Sequence, residues 1–222
     1  MSAEQTYPTT PEALLSLDER GMRIVEDAAR IFWTNGIRSV TMDDIASELG
    51  ISKKTLYLYV KDKNDLVTKL LQHTSDRYHT HINGIQRQGL NAIDEMYAIA
   101  LYISAEVTKF HPSLHYDLAK YYPDACRIMD QGKQVEVVRQ VAENMEKGIR
   151  EGLYREGLNV PLLAKLYVVR FDQAMSVEQA RLAEHYSMAD INWELFRYHI
   201  RGIASKKGMD YLEKKVTKGQ HL

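Results

Sequence analysis

Residues 41–63 constrain this chain more than any other stretch, because they read as two short helices joined by a tight turn. Thr41 is a good N-cap, and Asp44 three residues later completes a capping-box pattern. Met42, Ile45, Ala46 and Leu49 recur at i, i+3, i+4 and i+7, one apolar face of a two-turn helix. Gly50 stands where a left-handed residue ends that helix, since any Cβ would clash at positive φ. Ser52 caps the next helix, and Thr55 makes half of a second capping box.

In that second helix, placed at residues 53–59, Leu56, Tyr59 and Val60 share a face that packs back onto the first. Lys53, Lys54 and Tyr57 point the other way. Two ammonium groups near a helix N-terminus, with a phenol one turn on, suit a DNA major groove. The ammoniums reach phosphates or guanine acceptors, and the phenol donates to a phosphate. The same spacing also describes a surface helical hairpin with a solvated lysine face.

A resemblance separates the two readings. A helix ending in Phe32-Trp33-Thr34-Asn35-Gly36 is followed by Thr41-Met42-Asp43-Asp44-Ile45-Ala46, then by Gly50-Ile51-Ser52-Lys53-Lys54-Thr55-Leu56-Tyr57. Tyr59-Val60-Lys61-Asp62-Lys63-Asn64-Asp65-Leu66 closes the pattern. Together, residues 22–71 resemble the DNA-binding domain of the TetR family of transcriptional regulators. The resemblance implies an all-α chain: an N-terminal three-helix helix-turn-helix domain, then a larger helical bundle for regulation and dimerisation. It implies a homodimer on a pseudo-palindromic double-stranded operator, and a small-molecule effector. Repression is the first expectation; an activator, or a helical ligand carrier or adaptor that has lost DNA binding, is the alternative. By match to the family motif, Lys53, Lys54 and Thr55 are expected at base edges. Thr41, Ser52, Tyr57, Tyr59 and Lys63 are expected at phosphates. Asp43 and Asp44 favour their own helix's dipole but repel phosphate, which weakens the case for Thr41.

Composition enters as a limit on partners. The formal net charge is −1, so no global basic field draws the chain to nucleic acid, yet four lysines face one aspartate between Gly50 and Lys63. Hydrophobic residues at 45% suffice for a core, and five prolines with no β-alternation fit an all-helical chain. The single cysteine, Cys126, excludes an intrachain disulfide framework. No apolar run approaches the ~20 residues of a membrane span, and residues 1–8 lack a secretory signal's pattern, so the cytoplasm is the expected location.

Catalysis and metal chemistry find no footing. Gly-rich phosphate loops, Gly-x-Ser-x-Gly and His-Glu-x-x-His are absent, and Cys126 lacks any nucleophile signature. His111 and His115 stand at i, i+4, and His79 precedes His81 by two, but Pro112 interrupts the first pair and no cluster supplies further ligands. No enzyme activity, cofactor or metal is expected.

The chain is expected to divide into an arm at 1–15, the DNA-binding domain at 16–66, an effector and dimerisation domain at 67–205, and a basic tail at 206–222. The first helix runs from about Leu17 to Asn35 with Met22, Val25, Ala28, Ala29 and Phe32 inward. Asp62 caps a helix from about Lys63 to Tyr78, the expected mechanical link between effector and DNA. Breaks are read at Gly84, Gly89, Phe110 to Pro112, Tyr122-Pro123, Gly152 to Pro161 and Ser187. Segment 92–109 turns Ile93, Met96, Tyr97, Ala100, Leu101 and Ser104 to one side, and segment 133–150 turns Val137, Val138, Val141, Met145 and Ile149. Tyr97, Tyr102, Tyr116, Tyr121, Tyr122, Tyr154 and Tyr167, with Met96, Met129, Met145 and Met175, suggest a pocket for an aromatic or amphipathic effector. Segment 162–175 is apolar on more than one face through Leu162, Leu163, Leu166, Tyr167, Val168 and Val169. With the stripe Ile191, Leu195, Tyr198 or His199, and Gly202, it is the expected dimer interface.

Overall fold

The computed structural model describes residues 17–109, 111, 113–174 and 185–216. The arm at 1–15, Met175 and Lys218 lie outside the described residues, as do the side chains of His115, Cys126 and Met129. Among the described residues the regular structure is helical: α1 Glu19–Asn35, α2 Met42–Glu48, α3 Lys53–Leu56, α4 Lys63–Gln86, α5 Ala92–Val107, α6 Leu114–Tyr121, α7 Pro123–Arg150, α8 Val160–Ala174, α9 Met188–Ile203 and α10 Lys206–Val216. The chain forms two compact units. One holds the residues up to Tyr78 together with His111–Lys133; the other holds His79–Phe110 and Gln134 onward. The first unit therefore runs past residue 66 to Tyr78 and takes in α6.

In the first unit, the Asp18 carboxylate accepts the Gly21 N–H at 2.7 Å and starts α1. Ile24, Val25, Ala28, Ala29 and Phe32 form its buried stripe, while Met22 is only half-buried. Gly36, at φ +79°, donates its N–H to the Phe32 carbonyl and ends the helix. The α4 N-terminus repeats this logic, with Asp62 Oδ1 accepting the Asp65 N–H at 2.8 Å. Leu66, Val67, Leu70 and Leu71 are all buried along α4. Gly84 does not break α4, which runs on to Gln86; the turn comes at Gly89, at φ +67°. A helical glycine costs stability relative to alanine but does not stop a helix whose neighbours hold it.

The second unit packs α5, α7, α8 and α9 around Ile93, Met96, Ala100, Val141, Met145, Ala164, Phe196 and Ile200. Leu101, expected on the inner side of α5, is 53% exposed. Two polar groups of partners lie within this core. Asn144 donates to the Ala92 carbonyl and to Glu95, and accepts from the Tyr154 hydroxyl at 3.1 Å. Asn192 of α9 donates to the Ala100 carbonyl and the Ser104 hydroxyl of α5. Both sets are internally satisfied, as buried amides require. Ser187 caps α9 through a full capping box with Asp190, as the break read there implies.

Candidate nucleic-acid interface

The helix-turn-helix forms for the local reasons legible in its residues. The Thr41 hydroxyl accepts the Asp44 N–H, and the Asp44 carboxylate takes the Thr41 N–H at 2.8 Å and its hydroxyl at 2.7 Å. Those bonds hold the Asp44 carboxyl below the usual carboxylate range. Met42, Ile45 and Ala46 are buried, and Leu49 is half-buried at the helix end. Gly50 follows at φ +62°. Ser52 then accepts the Thr55 N–H at 3.0 Å, and the two hydroxyls lie 2.8 Å apart.

The second helix is shorter than residues 53–59. It is α-helical only over Lys53–Leu56, and the chain goes on in tight turns, with Leu58 N–H donating to Thr55 O and Tyr59 N–H to Leu56 O. Tight i→i+3 turns let Leu56 and Val60 both enter the core, at 0% and 2% exposure. They leave Tyr57 and Leu58 outside, at 43% and 75%.

The eight residues singled out from sequence fall into two groups in this structure. Lys54 is exposed and has no hydrogen-bond or ion-pair partner among the described residues, and Tyr57 is exposed beside it. Lys53 is exposed too, with its ammonium 2.9 Å from the Asp43 carboxylate, which keeps its pKa above the ordinary lysine range. The others serve the framework. Thr41, Ser52 and Thr55 have their hydroxyls in caps. Tyr59 is half-buried against α1, where a Cβ on Gly21 would lie only 2.7 Å from its ring.

Lys63 departs most from the expectation of a solvated cation. Its ammonium donates to the carbonyls of Ile37 at 2.6 Å and Val40 at 2.5 Å. Burial pushes its pKa down, against the pull of the Asp117 and Asp44 carboxylates. The loop that Lys63 holds from one side is held from the other by α6. Buried Asp117 accepts the Arg38 N–H at 3.1 Å, and a Cβ on Gly36 would lie 2.9 Å from the Ser113 hydroxyl. This loop leads directly into Thr41, so Lys63 and Asp117 set where α2 begins. Lys63→Met keeps the aliphatic stem but leaves two carbonyls without their donor. It is expected to lower the unfolding free energy by about 1–3 kcal/mol. Lys54→Ala, on the open surface, is expected to change it by less than about 0.5 kcal/mol. Urea unfolding of the two variants checks this, and equal midpoints would contradict the framework role.

Sequence reasoning missed three residues of this region. Asp43 was read as a charge at a helix end, although it reaches ten positions along the chain to Lys53. Leu58, which carries no signal in the motif, is the most exposed large apolar residue next to the short helix. Lys69, only 7% exposed, donates to the Tyr59 carbonyl and to Asp65, whose carboxylate also accepts the Lys61 N–H. A lysine within the apolar run Leu66 to Leu71, four residues after an aspartate, was the available signal.

The family of bacterial regulatory proteins, tetR family, matches residues 24–70. An HTH-type transcriptional regulator of Staphylococcus aureus (strain USA300) is 40% identical over 68 residues, which span 31% of this chain and 37% of that protein. The chain therefore aligns with just over a third of the curated relative it matches. Among solved structures, the regulator FadR from Bacillus subtilis in complex with stearoyl-CoA is similar, with a TM-score of 0.60 at 17% identity over 82% of this chain and 98% of that one. A transcriptional regulator from Saccharomonospora viridis in complex with choline has a TM-score of 0.68 at 18% identity, over 85% of this chain and 99% of that one. At these identities the likeness is one of fold.

Proposed function

We propose that this chain, a tetR-family protein by its N-terminal domain, is a DNA-binding transcription regulator that represses from a pseudo-palindromic operator and is released by a small-molecule effector. The observation behind it is that Lys53, Lys54 and Tyr57 stand exposed on a reader in which Thr41, Ser52, Thr55 and Lys63 spend polar groups internally. In this reading Lys53 and Lys54 meet base edges and Tyr57 donates to a phosphate. Tyr59 adds a second phenol from its half-buried site. Thr41, Ser52, Thr55 and Lys63 hold the backbone in place, and the third N–H of Lys63, beyond the two given to carbonyls, is its available contribution to a phosphate.

Selection of bound duplexes from a random-sequence pool tests this directly. The full chain should enrich an inverted repeat whose half-sites lie about 34–36 Å apart, centre to centre, or a multiple of that. On the enriched site, Lys53→Ala should weaken cognate binding roughly 10- to 100-fold and random DNA far less. Tyr57→Phe should weaken both alike. Equal losses on cognate and random DNA for Lys53→Ala would refute the division of labour, and enrichment of no sequence would refute the function.

In this reading the effector binds the second unit. Tyr116, Tyr121 and Tyr122 belong to the first unit, and Tyr154 is sealed with its hydroxyl on Asn144, so they leave the expected tyrosine pocket. Tyr97, packed on Trp193 and Phe196 with ring centroids 5.4 and 6.2 Å away, Tyr102, stacked on His81 at 3.8 Å, and Tyr167, 4.3 Å from the His199 ring, remain. Of the ligands bound by the two fold relatives, stearoyl-CoA supports an amphipathic molecule for such aromatic surfaces, and choline supports a cationic group held on ring faces. The unbroken helix α4 then serves as the link. A ligand that binds the released form a hundredfold better shifts the DNA equilibrium by about 2.7 kcal/mol, and operator DNA must weaken that ligand by the same factor.

A further inference from the structure

The geometry points to Asp43 as a base-reading residue that acts with Lys53 as one unit, selecting a G·C pair in each operator half-site; this rests on the DNA-binding function proposed above. Two acidic residues open α2, and they do different work. Asp44 is used up by the Thr41 cap, accepting both its N–H and its hydroxyl. Asp43 takes no part in that cap. Its carboxylate instead crosses the turn to the Lys53 ammonium at 2.9 Å, with the side chains 70% and 49% exposed. An ion pair that open adds little to the stability of the fold, so stability alone does not account for it.

Its position relative to Lys53 does account for it. Wherever the Lys53 ammonium goes in the groove, a carboxylate arrives beside it. Phosphates repel a carboxylate, so the groups it can meet favourably are the exocyclic amines of the base edges. A G·C pair presents in the major groove the O6 and N7 acceptors of guanine and, alongside O6, the N4 donor of cytosine. A side-by-side ammonium and carboxylate is the complement of that edge. An A·T pair gives the ammonium only one acceptor beside the adenine N6 donor, either N7 or a thymine O4 flanked by the methyl, where guanine gives it both O6 and N7. The pair also explains how a cation at a base edge can be kept from binding any phosphate it meets: part of its charge is already answered by Asp43.

The test begins with the full wild-type chain and a random duplex pool. If no sequence is enriched, the DNA-binding function itself fails, and the outcome is distinct from any below. Given an enriched site, every base pair of one half-site is substituted in turn, and affinities are measured for wild type, Asp43→Asn and Asp43→Ala. The expected result is a loss of roughly 10- to 100-fold discrimination at one G·C pair in both variants, with preferences at other positions kept. Lys53→Ala should erase discrimination at that same pair. Asp43→Asn retains the side chain's volume at the start of α2 and guards against a folding artefact, checked by an unchanged melting midpoint. Three results overturn the assignment. They are unchanged preferences in the variants, a uniform loss on all sequences, and a uniform gain on all sequences, the last meaning that Asp43 only screens Lys53.

Discussion

Leu166→Glu is expected to turn a dimer at micromolar concentration into a folded monomer and to lower operator affinity by about 10²–10⁴. The argument begins with two faces of α8. Val160, Ala164 and Val168 recur every four residues and are buried in the second unit's core. On the opposite face, Leu162, Leu166 and Val169 are 51%, 48% and 48% exposed. A helix apolar on both sides has an unused surface, and α9, which packs on α8, extends it with Tyr198 at 66% exposure and the exposed Gly202. Arg170 lies over the Tyr198 ring at 4.7 Å, a cation–π contact that leaves the tyrosine's other face open. A glutamate at 166 meets water in the monomer, so the fold should be unaffected within about 0.5 kcal/mol. In a dimer it would be buried unpaired. Without the dimer, the two readers no longer bind as a linked pair, and each must find its half-site alone. Ile191 and Leu195, also apolar on this stripe, are half-buried, so Leu195→Glu would confuse association with folding. Sedimentation at micromolar concentration and titration of the enriched operator are the measurements. A variant that remains dimeric and binds like wild type would remove this surface from the interface.

The second large effect is in the core. Gly148→Ala is expected to destabilise the second unit by about 1–3 kcal/mol, although alanine is the better helix former by about 1 kcal/mol. Gly148 lies within α7, and a Cβ there would stand 2.0 Å from the Tyr154 ring. That ring is 1% exposed, and its hydroxyl reaches back to Asn144, which is tied in turn to Ala92 and Glu95. It cannot slide away without opening the whole set, so the alanine methyl either unseats Tyr154 or bends α7. Gly84→Ala is the natural control. It is also helical, but nothing lies within 4 Å of its added Cβ, so alanine should stabilise by up to about 1 kcal/mol. Urea unfolding of both variants decides the matter. A midpoint for Gly148→Ala at or above the wild type's would mean that the ring adapts, and that propensity outweighs packing here.

These two glycines also divide what was legible in the residues from what was not. Local chemistry could be read in advance. Thr41 with Asp44, Ser52 with Thr55, Gly50 at positive φ, Asp62 as a cap, and the stripes Val25 to Phe32 and Leu66 to Leu71 all stand where their spacing places them. Each is decided within one or two turns of chain, by hydrogen bonds three or four residues apart and by the 3.6-residue period. The all-α fold followed from the same periodicity, and the DNA-binding reading from the motif over residues 22–71.

Contacts distant in sequence left no such trace. Nothing near Lys63 indicates that its ammonium closes on the carbonyls of Ile37 and Val40, more than 20 residues earlier. Nothing near Asp117 marks it as the acceptor for Arg38, a bond that ties α6 to the first unit. The Asp43–Lys53 pair, the short span of α3, and the ring of Tyr154 over Gly148 belong to the same class. Sequence by itself determined which residues start, stop and line each helix, because those choices are local. Tertiary structure alone decided which polar groups remain open to a partner, because a cation or hydroxyl is free only if no distant backbone or carboxylate has already claimed it.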